Sequence, residues 1–257
     1  MPKLTIDRAS KKYRLEREAR DVPAFAEVSL SVEEGEFVAI IGPSGCGKTS
    51  LLNVVAGLLP FEEGSVTLDG RDVTGPGVDR AVVFQHPSLL PWRTVSGNVR
   101  YGMEMQRRFD RATMRERAEH FVKLVGLDGF QRQYPSELSG GMQQRVNLAR
   151  ALAADPDVLL MDEPFAALDA QTRELMQAEL LNIWAESRKT VLFITHQIGE
   201  ALYLADRVVV FGARPGRVRA IFDVPFERPR PLALKRDPRF LELEDPVWRL
   251  LQEEARA

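Results

Sequence analysis

Three short stretches carry residue types that could do chemistry on a phosphorylated substrate. Gly42-Pro43-Ser44-Gly45-Cys46-Gly47-Lys48-Thr49 matches G-x-x-x-x-G-K-[ST]. It lies directly after the apolar run Phe37–Ile41 and directly before a helical pattern, Lys48 to Ala56, which is the context this motif requires. In such a loop the glycines let successive backbone N–H groups point at phosphate oxygens, and the helix N-terminus adds partial positive charge. Lys48 reaches the β/γ-phosphates, the Thr49 hydroxyl ligates Mg²⁺, and Ser50 closes the set of cofactor-binding positions. The second stretch, Val158–Met161, is an apolar run that ends in Asp162 and Glu163. A buried strand delivers acids at its C-terminal tip, where open α/β sheets hold their ligands. There Asp162 would hold Mg²⁺ through water and Glu163 would polarise an attacking water. The third is Leu138-Ser139-Gly140-Gly141, a Ser and two glycines opening a helix, hence a second anion-binding helix start. One nucleotide has no need of two cradles from one molecule. A head-to-tail pair of chains resolves this, with residues 42–49 of one copy facing Ser139-Gly140-Gly141 of the other across ATP.

The elements that must position these residues alternate along the chain. Leu4–Ile6, Phe25–Val32, Phe37–Ile41, Gly64–Leu68 and Ala81–Phe84 read as strands in the first third. From Asn98 to Ala154 the pattern turns helical. Arg111–Val125 sets Met114, Ala118, Phe121, Val122 and Val125 at spacings of three and four, and Met142–Ala154 repeats that face. Strands resume at Val158–Met161, Val191–Ile194 and Val208–Phe211, with helical stretches Ala170–Glu186 and Ile198–Ala205 between them. Strand–helix–strand alternation implies a parallel sheet with right-handed crossovers, here interrupted by an all-helical insert. Beyond Phe211 the chain is rich in Pro and Arg and ends in a short helix, Pro246–Ala257.

Composition removes other classes. The 257 residues are 44% apolar and 28% charged, ample for a packed core. With 35 basic against 37 acidic side chains, bulk electrostatic binding of nucleic acid is not expected. A single cysteine, Cys46, excludes an intramolecular disulfide and a cysteine-rich zinc site, and three histidines argue against a His-rich metal cluster. No run approaches about 18 apolar residues, and the start MPKLTIDRASKKY lacks the apolar stretch of a signal peptide. The sequence therefore reads as a soluble protein of a reducing compartment. Cys46 sits near a helix start and Lys48, so its thiol is expected below the free value.

With these motifs in order, the sequence resembles the ABC-transporter ATPase family, whose signature LSGGQ appears here as Leu138-Ser139-Gly140-Gly141-Met142. The resemblance covers nearly the whole chain. It implies an α/β fold: a P-loop (RecA-like) ATPase core with an N-terminal antiparallel β part and an inserted α-helical subdomain. Residues 1–212 would form the nucleotide-binding domain, the helical part spanning about 90–154, and 213–257 a short C-terminal extension. Gln85 matches the glutamine that contacts Mg²⁺ and water and senses the membrane partner. Ala167-Leu168-Asp169 matches the loop that crosses the dimer interface, and His196 the switch histidine at the γ-phosphate. Tyr13 falls where an aromatic stacks on adenine, with Phe25 as a nearby substitute. Two positions depart from the family pattern: Met142 stands in place of Gln, and Gln197 in place of Asp.

A single cassette resembles the bacterial importer subunits, which borrow separate membrane permeases and, indirectly, a periplasmic or lipoprotein solute-binding protein. Such a subunit is peripheral on the cytoplasmic side of the inner membrane. The stretches Gly75–Arg80, Phe84–Val95, Ala213–Arg217 and Pro225–Pro231 are similar to the nitrate/sulfonate/taurine group. That similarity implies uptake of a small anion, with taurine or another sulfonate ranked before nitrate. Leu89, Leu90 and Trp92 either pack inside the helical part or receive a short helix of the permease, and resemblance to importers favours the second. The competing class is a soluble ABC ATPase acting on nucleic acid or ribosomes. Those proteins carry long coiled coils or two cassettes, and the sequence shows neither.

Overall fold

The computed structural model describes residues 1–15, 20–212 and 215–256, so Ala213 and Arg214 of the Ala213–Arg217 stretch lie outside the described residues. In chain order the first elements are β1 (Leu4–Leu15), β2 (Arg20–Val32), β3 (Phe37–Ile41), α1 (Lys48–Val55), β4 (Glu63–Leu68), β5 (Arg71–Asp72) and β6 (Arg80–Val83). Next come α2 (Val95–Gln106), α3 (Arg111–Leu124), α4 (Gly140–Ala153), β7 (Val158–Asp162) and α5 (Ala170–Ser187). The chain closes with β8 (Thr190–Ile194), α6 (Ile198–Leu204), β9 (Arg207–Phe211), β10 (Val218–Asp223) and α7 (Pro238–Arg256). The chain divides into two compact units, Met1–Gly77 with Arg188–Ala257, and Val78–Ser187.

In the first unit β2, β1, β4 and β5 form an antiparallel sheet in that order. Its hairpin is longer than the apolar pattern suggests, because Lys11–Leu15 pairs with Arg20–Phe25 although that stretch is largely polar. Backbone pairing carries the strand outward there. Beside it β3 pairs in parallel with both β8 and β9, and β10 adds antiparallel to β9. Every residue of β3 and β8 is buried, as a strand covered on both faces demands.

Two expectations for the C-terminal part are corrected. A strand, β10, stands where only a Pro/Arg-rich stretch is read from sequence. The last helix begins at Pro238, not Pro246, and Pro246 sits inside it. A mid-helix proline leaves the carbonyl four residues earlier without its helical donor. Here that residue, Glu242, and Pro246 itself are both exposed, so water can take the bond.

In the second unit β6 and β7 pair in parallel, Arg80 to Val158 through Val83 to Met161. Helices α2, α3 and α4 each start at a side-chain cap. Thr94 Oγ1 accepts from Gly97 N, Asp110 Oδ1 from Thr113 N, and Ser139 Oγ from Met142 N. Asn98, fully buried, donates to the carbonyls of Leu90, Arg93 and Thr94 and accepts from Leu90 N, fixing the loop before α2.

Candidate active site

In the first unit the all-buried strand β3 runs straight into the glycine loop, and α1 starts at Lys48. Gly45 and Gly47 hold left-handed φ of 76° and 94°, which a side chain would strain. Gly47 is also crowded: a Cβ there would lie 2.5 Å from the Ala24 carbonyl. α1 starts from a glycine N-cap and has no side-chain cap hydrogen bond, in contrast to α2, α3 and α4, and a helix N-terminus favours an anion. Lys48 is buried and bends back, donating to Gly42 O (2.8 Å) and Pro43 O (2.9 Å). Ser44, Gly45 and Thr49 are exposed at the loop's rim, Pro43 and Ser50 half-buried.

Two further residues named from sequence arrive at this loop. The Tyr13 hydroxyl lies 3.0 Å from Ser50 Oγ on α1, and its ring is 41% exposed with Lys11 Nζ 5.5 Å above it. Phe25, the other aromatic offered for stacking, is fully buried and cannot present a face. His196 leaves the sheet just past the register pair Ile40–Ile194, where Thr195 N donates to Ile40 O (3.2 Å), so it stands exposed at the loop's root.

The second unit assembles the carboxylates. β7 is wholly buried and ends at Asp162, itself buried; Glu163 follows half-buried with φ 44°. A left-handed φ at a non-glycine costs about 1–3 kcal/mol and persists where the surroundings enforce it. The turn is held by Ala166 N donating to Glu163 O (3.1 Å). Gln85 Nε2 reaches Glu163 Oε2 at 3.4 Å, so two of the three residues assigned catalytic roles meet. Asp169 caps α5 by accepting from Thr172 N (3.0 Å), and that bond holds its carboxyl below the usual range. A Cβ at Gly141 would press Leu168 Cδ2 at 3.2 Å, so glycine lets the Ala167–Asp169 loop approach α4.

One group of residues escapes sequence reasoning. On α4, Gln144 and Asn147 both donate to Phe84 O, 3.3 and 3.2 Å, and Arg150 donates to Pro87 O and Ser88 O, each 3.0 Å. They hold the loop on either side of Gln85, including Ser88 at φ 44°. Their spacing of three residues is the only trace in the sequence, and a solvated polar stripe has the same spacing.

Cys46 corrects an expectation. Burial pushes its thiol up, and the charge and hydrogen bond of Lys48, whose Nζ lies 3.6 Å from Sγ, only partly offset this. Burial wins because Cys46 is only 1% exposed, with Sγ held against Gly42, where a Cβ would lie 3.0 Å away; Gly216, far along the chain, packs on the Cys46 carbonyl, 2.0 Å from a Cβ built there. At pH 8 an alkylating reagent should therefore modify the folded chain at least about tenfold more slowly than the unfolded chain. Mass spectrometry of adduct against time checks this, and equal rates would show an open thiolate instead.

A buried parallel strand entering a glycine loop, an uncapped helix start after it, and an acid-tipped strand in the other unit define a P-loop ATPase. The ABC transporter family model matches residues 25–166, and the chain belongs to that family. It is 49% identical over 253 residues to the taurine import ATP-binding protein of Rhizobium johnstonii, covering 96% of each chain. An uncharacterized ABC transporter ATP-binding protein of Methanocaldococcus jannaschii is 50% identical over 252 residues, 98% of this chain and 92% of that one. Among solved structures, a dimeric ATP-binding cassette in a post-hydrolysis state with ADP and Pi superposes with a TM-score of 0.78 at 32% identity. The match covers 87% of this chain and all of that one. The expected fold class, α/β with an antiparallel β part and helical insert on a P-loop core, holds, and the chain is an ATPase that binds ATP.

Proposed function

We propose that this chain is the ATP-hydrolysing subunit of a bacterial importer for taurine or a related sulfonate, with nitrate second. The observation that carries the reading is its 49% identity, end to end, to a taurine import ATP-binding protein. The relatives reported above are transporter or import ATP-binding proteins, which does not favour the alternative, a cassette acting on nucleic acid or ribosomes. Residues 1–212 are read as the nucleotide-binding domain with its helical part at about 90–154, and 213–257 as the C-terminal extension.

Residues 42–50 wrap the phosphates, Lys48 neutralises the β/γ charge, and Tyr13 stacks on adenine. Asp162, Thr49 and Gln85 offer only hard oxygen donors, and no cluster of three or more His, Cys, Asp or Glu occurs among the described residues. That donor set, with its single carboxylate, suits Mg²⁺, which is commonly held through one or two carboxylates and fills its shell with phosphate and water. When bound, the ion neutralises charge between phosphate oxygens. Glu163 accepts the proton of the attacking water, Gln85 orients Glu163, and His196 donates to the γ-phosphate. Ser139, Gly140 and Gly141 meet the nucleotide of a second copy in a head-to-tail dimer, in keeping with the dimeric cassettes of similar fold.

Among the described residues no helix is long and apolar enough to cross a membrane, so passage of solute falls to separate permease subunits and capture to a solute-binding protein. The cassette sits peripherally on the cytoplasmic face of the cell membrane. Trp92, 71% exposed, is the apolar group offered to the permease; Leu89 and Leu90 are half-buried, and Leu90 belongs to the loop that Asn98 fixes. The test is reconstitution with permease and binding protein in liposomes, following ATP-dependent uptake of labelled taurine and of nitrate. Taurine uptake should depend on this chain. Trp92→Ala should weaken co-purification with the permease without unfolding the cassette, since so exposed a ring adds little to its core. Uptake of nitrate alone would overturn the solute, and full permease retention by Trp92→Ala would overturn the docking site.

A further inference from the structure

The segment after β10 returns to grip α6, the seven-residue helix that follows His196. Arg230 is buried, and its guanidinium is spent on backbone carbonyls. Nη1 donates to Tyr203 O (3.1 Å), Ala205 O (2.7 Å) and Leu202 O (3.4 Å), while Nε and Nη2 donate to Phe226 O at 3.0 and 2.8 Å. It thus closes the negative end of α6, where a cation and a donor are both favoured. The grip is returned by the Tyr203 hydroxyl, which donates to Arg230 O at 2.9 Å. Arg228 adds a bidentate hold on Asp206 Oδ1, 3.0 and 2.8 Å. At the other end of α6, Glu244 of α7 lies against Gly199: a Cβ there would come within 2.8 Å of its Oε1.

His196 stands two residues before that helix, between residues bonded to it. The buried Thr195 hydroxyl donates to Glu200 Oε2 and accepts from Gln197 N at 3.1 Å, bracketing the histidine between two bonds. Ala201 N donates to Gln197 O at 3.1 Å, so the helical ladder begins one residue past His196. A helix this short moves as one body. We infer that the segment Phe226–Glu244 sets the position of His196 through α6, with Arg230 as the positioning residue at the helix's far end. The inference rests on the reading of His196 as the γ-phosphate contact.

The experiment uses the full chain with Tyr203→Phe, Arg230→Lys and Arg230→Met. It measures kcat and KM for ATP and the imidazole C2–H resonances by NMR. The chain has three histidines, and His86 and His120 lie in the other unit as internal references. Tyr203→Phe should lower kcat about threefold and Arg230→Met about tenfold, with KM within about twofold and Arg230→Lys between. The His196 resonance should move in each while the other two stay. Should Arg230→Met fail to fold, Tyr203→Phe, which removes one hydroxyl, carries the test. Folded variants with wild-type kcat and an unmoved His196 resonance would mean that the buried face of α6 alone fixes the histidine, and the inference falls. If His196→Ala hydrolyses ATP at the natural rate while Tyr203→Phe still moves the resonance, the γ-phosphate assignment falls and the strap stands.

Discussion

Glu163→Gln should lower ATP turnover by about 10²–10⁴-fold, the usual worth of a positioned general base. The amide keeps the shape of the carboxylate, so its contact with Gln85, 3.4 Å in the native chain, can be kept through the amide oxygen. Backbone geometry is unaffected in kind, since Glu and Gln meet the same strain at φ 44°. Asp162 remains buried at the strand tip, and the loop with Lys48 is untouched. The loss should therefore fall on kcat, with nucleotide affinity retained. Phosphate release at saturating Mg-ATP, paired with equilibrium binding of labelled ATP, separates the two. A variant that hydrolyses near the natural rate sinks the role given to Glu163. One that no longer binds ATP would show that the acid holds the substrate instead of the water.

How far the chain can be read before its structure is known depends on where each element's cause lies. β3, α3 and β7 follow from neighbours in sequence: an all-apolar run, an Asp110 cap before an amphipathic face, and a run of four apolar residues ending in acid. Their predicted and observed bounds agree to within a residue or so. The outer pairing of Lys11–Leu15 with Arg20–Phe25 and the strand β10 have their causes elsewhere. Lys11–Leu15 extends because β2 supplies partners, and β10, half-buried at alternate residues, exists as an edge laid on β9. Neither alternates strongly enough to stand out among Arg and Pro.

The site divides in the same way. The phosphate loop and the acid pair announce themselves, because bond geometry at phosphate demands those types at those spacings. The restraints around them do not. Gly216 packs on the Cys46 carbonyl from the far end of the chain, and burial of the side chain turns the thiol's shift from down to up. Local electrostatics near Lys48 were visible in the sequence; the cover was not. Gln144, Asn147 and Arg150 likewise act on carbonyls about 60 residues away, as their bonds to Phe84 and Ser88 record.

Lys48→Met should weaken ATP binding by about 10–100-fold, the worth of a charge-assisted bond of about 1.5–3 kcal/mol to phosphate. The native ammonium is buried and donates to Gly42 O and Pro43 O, so it already stands among the loop carbonyls instead of reaching into solvent. Methionine keeps the length and the apolar stem but leaves the Gly42 carbonyl, which is buried, without that donor. A buried unpaired acceptor costs about 1–3 kcal/mol, so a lowered melting temperature should accompany the loss of affinity. Comparing melting with and without saturating Mg-ATP separates the two effects, because ligand stabilisation shrinks only if affinity falls. The same substitution reaches Cys46. Lys48 lowers the thiol's pKa by its charge and hydrogen bond, so removing it should raise the pKa further and shrink the thiolate fraction at any fixed pH. Alkylation of Lys48→Met should accordingly run slower than that of the natural chain as long as the loop stays closed under Gly216. Faster alkylation would mean that the two carbonyl bonds of Lys48, more than its charge, keep Cys46 covered.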